Sequence, residues 1–438
     1  PIKPIPYPEG PPPDFVWGQL SAEKSRILSF HNYPQNTDVE IEYVFENPPS
    51  YGYEEEDAAD PRNISISLRY SLIEMPENDF EPRLGDQRVG YFSQRVTDMS
   101  TYDNYPQRDL INRWRLVKKD PGAELSEPVN PIVFWVEKST PEEIKPMVVK
   151  GIEVWNIAYE RAGFKNAVVA KIQPDDAEWD PADARYSTIR WLIQPGVGIG
   201  VGPSRANPFT GELYDADIRI GSDFLRYFYT DFIEYIDPLQ LMSYEDSIYH
   251  HPDDCQYQNL MKHKMNYTWN YLTATNQIKN SKKEMKQFVY DGIVDLILHE
   301  VGHTLGLRHN FKASSIYSID QLSNPEFTEE YGITGSVMDY NATNLLDGGK
   351  NYFQIIPGPY DNWAIEYAYS EQSPYSSISE KNFLNSIALK STEPFLAYGT
   401  DEDAGGKSID PYTNRRDMTS DPINHYIKRI QLGNTFID

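Results

Sequence analysis

The sequence has little cysteine, little basic charge and no long apolar run. Its 438 residues include one cysteine, Cys255, which cannot form a disulfide within the chain. The 66 acidic residues outnumber the 40 basic ones and give a formal net charge of −26. A nucleic-acid-binding face needs clustered Lys and Arg, so we expect no nucleic-acid partner. No apolar run approaches the about 18 residues of a membrane helix, so we expect no transmembrane segment.

The composition that is present describes a folded chain. Apolar residues make up 39%, aromatic residues make up 13% and tyrosines number 32, which argues against disorder. At about 100–200 residues per domain, the length predicts two to four domains. An acidic chain with almost no thiols is compatible with export, so we expect a secreted, periplasmic or cell-surface protein.

The hydrophobic pattern changes along the chain. Residues 38–46 and 63–74 alternate apolar and polar side chains, which predicts strands. Buried strands are predicted at 132–136, 187–193 and 216–220, and a helix start is predicted at residues 139–143. A long helix is predicted from Lys283, with an apolar stripe of Met285, Phe288, Val289, Ile293, Leu296 and Ile297. These signals together predict an α+β fold.

We predict three regions in this chain. Residues 1–130 form a β-rich N-terminal accessory or pro-like region, which opens with a Pro-rich arm and contains an acidic loop at 54–56. Residues 131–370 form a second region, which contains the predicted buried strands and the long helix, and residues 371–438 form a C-terminal extension. The acidic segments at 54–56 and 401–403 are expected to be solvated loops, compatible with weak Ca²⁺ binding.

The chemistry is concentrated in residues 299–309, which read HEVGHTLGLRH. Helix positions four apart lie on one face, so His299 and His303 can both reach one Zn²⁺ ion. Glu300 then lies beside the metal without ligating it, where a general base for water is needed. The spacing therefore predicts one catalytic zinc site.

His309 requires the helix to end before it. Six residues beyond His303, it would point about 240° away from the ligand face of a continuing helix. Gly306 can adopt a left-handed turn without steric cost, which lets the chain fold back and present His309 as a third ligand.

These residues resemble the extended zinc signature of the metzincin metallopeptidases. The later segment SVMDY matches the methionine-containing turn of that clan at Met338. By that resemblance Tyr340 corresponds to a tyrosine that serves as an extra, movable zinc ligand and hydrogen-bonds the oxyanion. Ordinary core packing is the alternative role for Met338. Segments such as GVGPSRANPFTGELYDADI (200–218) and PGPYDNWAIEY (357–367) are also similar to large, poorly characterised bacterial zinc-dependent metalloproteases.

The resemblance implies a twisted mixed sheet whose edge strand lies over the zinc helix and binds an extended peptide. We expect residues 213–220 to be that edge strand, with a plain structural strand as the alternative. The glycines at 196, 198, 200 and 202 do not fit a nucleotide-binding motif and predict a flexible loop near the cleft.

The sequence thus predicts a zinc endopeptidase acting on protein or peptide substrates, with residues 131–370 as its metzincin-like zinc catalytic domain. Its ligands are His299, His303 and His309, and Glu300 is the general base. One alternative is a latent or non-catalytic zinc-binding protein whose N-terminal region occupies the cleft. Another is zinc-dependent hydrolysis of a non-peptide amide.

Overall fold

A computed structural model describes residues 18–47, 62–75, 79–193, 200–202, 204–222, 257–278, 282–372, 377–404 and 409–437. The chain divides into two compact units. The first comprises Pro1–Glu77 with Ala182–Arg185, and the second comprises Asn78–Pro181 with Tyr186–Asp438. This division differs from boundaries after residues 130 and 370, because residues 79–130 pack in the same unit as the histidine motif. As a functional division, those two boundaries stay predictions.

The first unit is an antiparallel sheet of three strands in the order β1-β2-β3: β1 (Gln19–Asn32), β2 (Asn36–Glu46) and β3 (Asn63–Ile73). Alternation of apolar and polar residues predicted β2 and β3. Asn36 is buried and hydrogen-bonds the backbone of Ala182 and Ala184, which joins the segment 182–185 to this sheet. The predicted β-rich N-terminal region is therefore confirmed.

The second unit begins with a β-hairpin and continues into a five-stranded sheet. The hairpin pairs β4 (Ser93–Thr97) with β5 (Gln107–Ile111). The strands of this sheet are β6 (Ile132–Val136), β7 (Val168–Ile172), β8 (Ser187–Leu192), β9 (Gly200–Val201) and β12 (Ile218–Gly221). Their order is β7-β6-β8-β12-β9, with β9 antiparallel and the other strands parallel. A separate ribbon pairs β10 (Ser204–Ala206) with β11 (Leu213–Ala216).

The prediction that residues 213–220 form the edge strand is wrong. These residues divide between β11, which pairs with β10, and β12, which lies between β8 and β9 inside the sheet. Ile218 and Ile220 are fully buried there. The edge strand is β9, so part of the predicted glycine loop is a strand.

Helices cover the sheet and form the rest of the second unit: α1 (Lys145–Glu153), α2 (Asn156–Arg161), α3 (Tyr257–Ala274), α4 (Lys282–Thr304), α5 (Ile319–Leu322), α6 (Pro325–Tyr331), α7 (Pro359–Tyr369), α8 (Glu380–Ala388) and α9 (Pro422–Ile437). Short 3₁₀ turns lie at Ala313–Ser315, Leu389–Thr392 and Pro394–Leu396. Among the described helices, none is long and apolar enough to cross a membrane.

Helix α4 is the centre of this unit. All six residues of its predicted apolar stripe are buried. The helix packs closely on α1, where a Cβ on Gly151 would lie 2.7 Å from Ile297. The fold is therefore α+β, as predicted, and its central helix carries the histidine motif.

Candidate metal centre

The first two histidines lie on the last turns of α4. His299 is fully buried and His303 is 5% exposed. The helix ends at Thr304, and Gly306 follows with a φ of +99°. A Cβ at Gly306 would also collide with the carbonyl oxygen of Asn112, so the backbone conformation and the close packing both require glycine. The structure therefore shows the predicted end of the helix before His309 and the predicted turn of the chain at Gly306.

The return brings the third histidine to the other two. The candidate ligand atoms of His299, His303 and His309 all lie within 4.8 Å of one another. The Nε2 atoms of His303 and His309 are 3.1 Å apart. Within the described ranges, no other three His, Cys, Asp or Glu side chains meet closely enough to hold a metal ion.

Each imidazole uses its Nδ1 atom for a second contact. His299 Nδ1 lies 2.6 Å from the carbonyl oxygen of Val337, and His303 Nδ1 lies 3.0 Å from that of Leu307. His309 Nδ1 lies 3.0 Å from Asp401 Oδ2. All three partners are acceptors, so each Nδ1 carries the proton and each Nε2 lone pair remains for a metal.

The cluster fits a zinc ion. Ligands at 2.0–2.1 Å in a tetrahedron lie about 3.3 Å apart, close to the separation between His303 and His309. Burial, reinforced by the neighbouring imidazoles, lowers the pKa of His299 well below its ordinary value and that of His303 to about 3. Metal ions bind the neutral form of imidazole, so these lowered pKa values favour binding of a metal cation by His299 and His303.

Glu300 lies between this cluster and the edge of the sheet. Its side chain is fully buried. A Cβ on Gly202, the residue after β9, would lie 2.7 Å from the Glu300 carbonyl oxygen and 3.5 Å from Glu300 Oε2. The residue directly after the edge strand therefore lies against α4 at Glu300, and glycine at position 202 permits this approach.

The methionine turn packs beneath the zinc helix. Met338 is fully buried, and its sulfur lies so close to Gly302 that a Cβ there would collide with it. Asp361 holds the turn in place: one carboxyl oxygen accepts from Ser336 Oγ at 2.5 Å and the other accepts from Val337 N at 2.8 Å. Because Val337 is also the partner of His299, this turn orients the first ligand.

Tyr340 lies at the edge of the histidine cluster. It is 4% exposed, and its ring centroid is 4.8 Å from that of His309 and 5.6 Å from that of His299. The structure therefore brings together all six predicted site residues: the three histidines, Glu300, Met338 and Tyr340. The chemical roles of Glu300 and Tyr340 stay predictions.

Sequence reasoning missed two residues that the structure places beside the histidine cluster. Asp401 belongs to a segment expected to be a solvated loop, yet it contacts His309. Arg415 Nη2 donates to Asp401 Oδ1 at 3.1 Å. Burial alone would raise the pKa of Asp401, but its hydrogen bond with His309, its electrostatic attraction to that ring and the charges of Arg415 and Arg308 lower it to about 2. The acidic triplet 401–403 was the only signal in the sequence.

Some sequence predictions lie outside the described residues. They concern the Pro-rich arm, the acidic loop 54–56, the glycines at 196 and 198, and Cys255. The arm and the loop motivated the alternative of a latent protein with an occupied cleft, and this alternative stays a prediction.

The three converging histidines fit the zinc centre of a metzincin, and a family comparison points the same way. Residues 281–437 match the family model described as Met-zincin. This match confirms the predicted resemblance over that part of the chain and continues past residue 370. Residues 9–119 match a second model, described as a domain of unknown function (DUF5117). Comparisons with curated proteins and with solved structures found no match.

Proposed function

We propose that this protein is a zinc-dependent endopeptidase. The observation that carries the proposal is the position of Glu300. Its buried carboxyl group lies on the helix that presents His299 and His303, directly beneath the residue that follows the edge strand. A purely structural zinc site needs no carboxyl group beside its ligands and is usually closed by a fourth protein ligand.

The residues take distinct roles in peptide hydrolysis. His299, His303 and His309 would hold a zinc ion, which would supply Lewis acidity to the substrate carbonyl and to a water molecule. Glu300 accepts the proton of the attacking water and passes it to the leaving amine nitrogen. The Tyr340 hydroxyl donates a hydrogen bond to the oxyanion of the tetrahedral intermediate.

The sheet edge supports a peptide as the substrate. Strand β9 pairs with β12 on one side and ends the order of the described sheet on the other. An extended peptide can add to such an edge through backbone hydrogen bonds, which do not depend on its side chains. We therefore propose that substrates bind in an extended conformation along β9.

The cellular location is proposed on composition alone. The single cysteine and the acidic charge support a secreted, periplasmic or cell-surface protein. Fractionation of the native cell, followed by immunodetection, tests this proposal, and recovery in the cytosolic fraction contradicts it. Calcium binding by the acidic loops likewise stays a prediction.

A Glu300→Gln variant tests the activity. Removal of a general base typically lowers the rate by about 10²–10⁴-fold, while the three imidazoles remain to bind zinc. We expect this loss in casein or peptide-library digestion, with zinc content unchanged by elemental analysis. Glu284→Gln, in the first turn of the same helix, is the matched control. Zinc-loaded wild type without activity, or Glu300→Gln with full activity, contradicts the proposal.

A further inference from the structure

The third zinc ligand lacks the support that a helix gives to the other two. His299 and His303 project from α4, which fixes their positions. His309 follows the turn at Gly306 and belongs to no helix or strand. A ligand in an irregular segment needs other contacts to hold its ring at the angle that metal binding requires.

We propose that Asp401 and Arg415, from the predicted C-terminal extension, are positioning residues for His309 and thereby complete the zinc centre. Asp401 accepts a hydrogen bond from Nδ1 of His309, which lies 3.1 and 3.0 Å from its two carboxyl oxygens. A carboxylate in this position fixes the tautomer, orients the ring and raises the basicity of the ligating nitrogen. The inference rests on the proposed zinc site.

Arg415 contacts both of the side chains, Asp401 and Phe311, that lie against the His309 ring. Its guanidinium donates to Asp401 and lies 4.7 Å from the centroid of the Phe311 ring. The Phe311 ring in turn stacks on His309, with centroids 5.0 Å apart and an interplanar angle of 25°. His309 is therefore held at its Nδ1 edge by Asp401 and on one ring face by Phe311, and Arg415 contacts both.

Hydrogen bonds made by Asn310 and Phe311 explain how Asp401 reaches this position. Asn310, directly after the third ligand, is fully buried, and its side-chain Nδ2 donates to the carbonyl oxygen of Ala397 at 3.0 Å. The N–H of Gly399 donates to the side-chain oxygen of Asn310 at 3.2 Å, and Phe311 N donates to the carbonyl of Gly399 at 2.7 Å. The loop that carries Asp401 is thus attached to the chain immediately after His309.

The same attachment continues beyond Asp401. Asn414 N donates to the carbonyl of Phe311 at 3.0 Å, and Arg416 N donates to that of Tyr340 at 2.8 Å. Arg415 therefore lies between two residues whose backbones are tied to the site. Its guanidinium is also 5.9 Å from the Tyr340 ring, so the segment borders both the ligand and the proposed oxyanion donor.

Zinc affinity of the full chain tests the inference. Loss of an outer contact to a metal-bound histidine typically weakens metal binding by 10–100-fold. We expect Asp401→Ala to raise the zinc dissociation constant by that factor, as measured by competition with a chromogenic chelator. Asp401→Asn keeps an acceptor without the charge and should fall between Asp401→Ala and wild type. Arg415→Ala should weaken zinc binding up to about tenfold, because Asp401 loses the guanidinium that donates to its carboxylate.

A spectrum and a matched variant separate positioning from folding. Glu402→Gln changes the neighbouring carboxylate, which pairs with Arg308, and should leave zinc affinity within about twofold. Substitution of Co²⁺ for zinc reports ligand geometry, so Asp401→Ala should alter the visible absorption even where the apo protein melts like wild type.

The outcomes also distinguish this inference from the proposed activity. Zinc affinity and a cobalt spectrum identical to wild type in Asp401→Ala overturn the inference. If Asp401→Ala does not fold, wild-type zinc affinity in both Asp401→Asn and Arg415→Ala overturns it instead. A wild-type protein that binds zinc but cleaves no peptide contradicts the endopeptidase proposal, while graded zinc affinities in the variants still support the inference.

Discussion

The ring of Tyr257 lies flat against the ring of His299, with centroids 4.1 Å apart and an interplanar angle of 16°. Its hydroxyl donates to Asp295 Oδ1 at 2.9 Å, one turn before His299 on α4. Lys264 Nζ lies 3.9 Å from the other carboxyl oxygen of Asp295, and both side chains are buried. A buried ion pair therefore supports the ring that backs the first zinc ligand.

This arrangement predicts different results for two Tyr257 variants. Tyr257→Phe keeps the ring and removes the donor to Asp295, so we expect a cost of about 1–3 kcal/mol in unfolding free energy with zinc affinity retained. Tyr257→Ala also opens a cavity against His299 and should cost about 3–5 kcal/mol and weaken zinc binding. Urea unfolding of apo and zinc-loaded protein measures both effects. Equal behaviour of the two variants contradicts the role of the ring.

The contact between α4 and the methionine turn predicts that Gly302→Ala is destabilising. A Cβ at this position would collide with the Met338 sulfur and lie 2.9 Å from Trp155 Cζ2. The Trp155 ring is fixed by a hydrogen bond from its Nε1 to the carbonyl of Leu298 at 3.0 Å. Overpacking of this kind costs about 1–3 kcal/mol, against a gain of about 1 kcal/mol in helix propensity.

Thermal unfolding of Gly302→Ala checks this expectation. Gly122→Ala is the control, because a Cβ there would meet only Asp120 Oδ1, at 3.4 Å. A melting temperature of Gly302→Ala at or above that of wild type would show that the methionine and tryptophan can move aside.

Tyr340→Phe should separate catalysis from binding. If the hydroxyl donates to the oxyanion, its loss lowers kcat by about 10²-fold and leaves KM and zinc content nearly unchanged. Tyr331→Phe, at an exposed tyrosine, serves as the control. Steady-state kinetics on a fluorogenic peptide measure kcat and KM. An unchanged kcat in Tyr340→Phe contradicts the proposed hydrogen bond to the oxyanion.

A histidine remote from the zinc site should make the fold sensitive to acid. His425 on α9 is 2% exposed, and burial, reinforced by Arg429 and Lys428, lowers its pKa to about 4. Between this value and the ordinary pKa of about 6.5, the unfolded chain binds more protons than the folded one. Stability is therefore present above pH 6.5 and is lost as the pH falls through this window.

The loss attributable to His425 is on the order of 3 kcal/mol. His425→Gln should remove that part of the pH dependence in urea unfolding between pH 4 and 7. His31→Gln, at an exposed histidine of the first unit, is the control variant. Parallel pH profiles for wild type and His425→Gln would contradict the prediction.

Local patterns in the sequence predicted the parts of the fold that depend on neighbouring residues. Alternation identified β2 and β3, and the helical stripe identified α4 within one residue of its start. The motif at 299–309 was predicted in detail because one helix and one glycine determine its geometry. The position of a strand within the sheet depends on long-range pairing, so residues 213–220 were mistaken for the edge. Strand β9, with two residues, is too short to carry a periodic signal.

The contact between Asp401 and His309 could not be predicted from local patterns either, because it also depends on residues far apart in the sequence. Asp401 lies 92 residues after His309, and an acidic triplet looks alike whether it is solvated or holds a ligand. Their meeting is explained by the hydrogen bonds of the buried Asn310 and of the neighbouring backbone, which attach the two segments to each other.

The attachment at Asn310 has a consequence for the order in which the site is assembled during synthesis. A nascent chain that has left the ribosome only as far as α7 already contains all three imidazoles and Glu300. The carboxylate of Asp401 joins them only when residue 401 emerges, so the three imidazoles are made before the contact that we propose orients the third one.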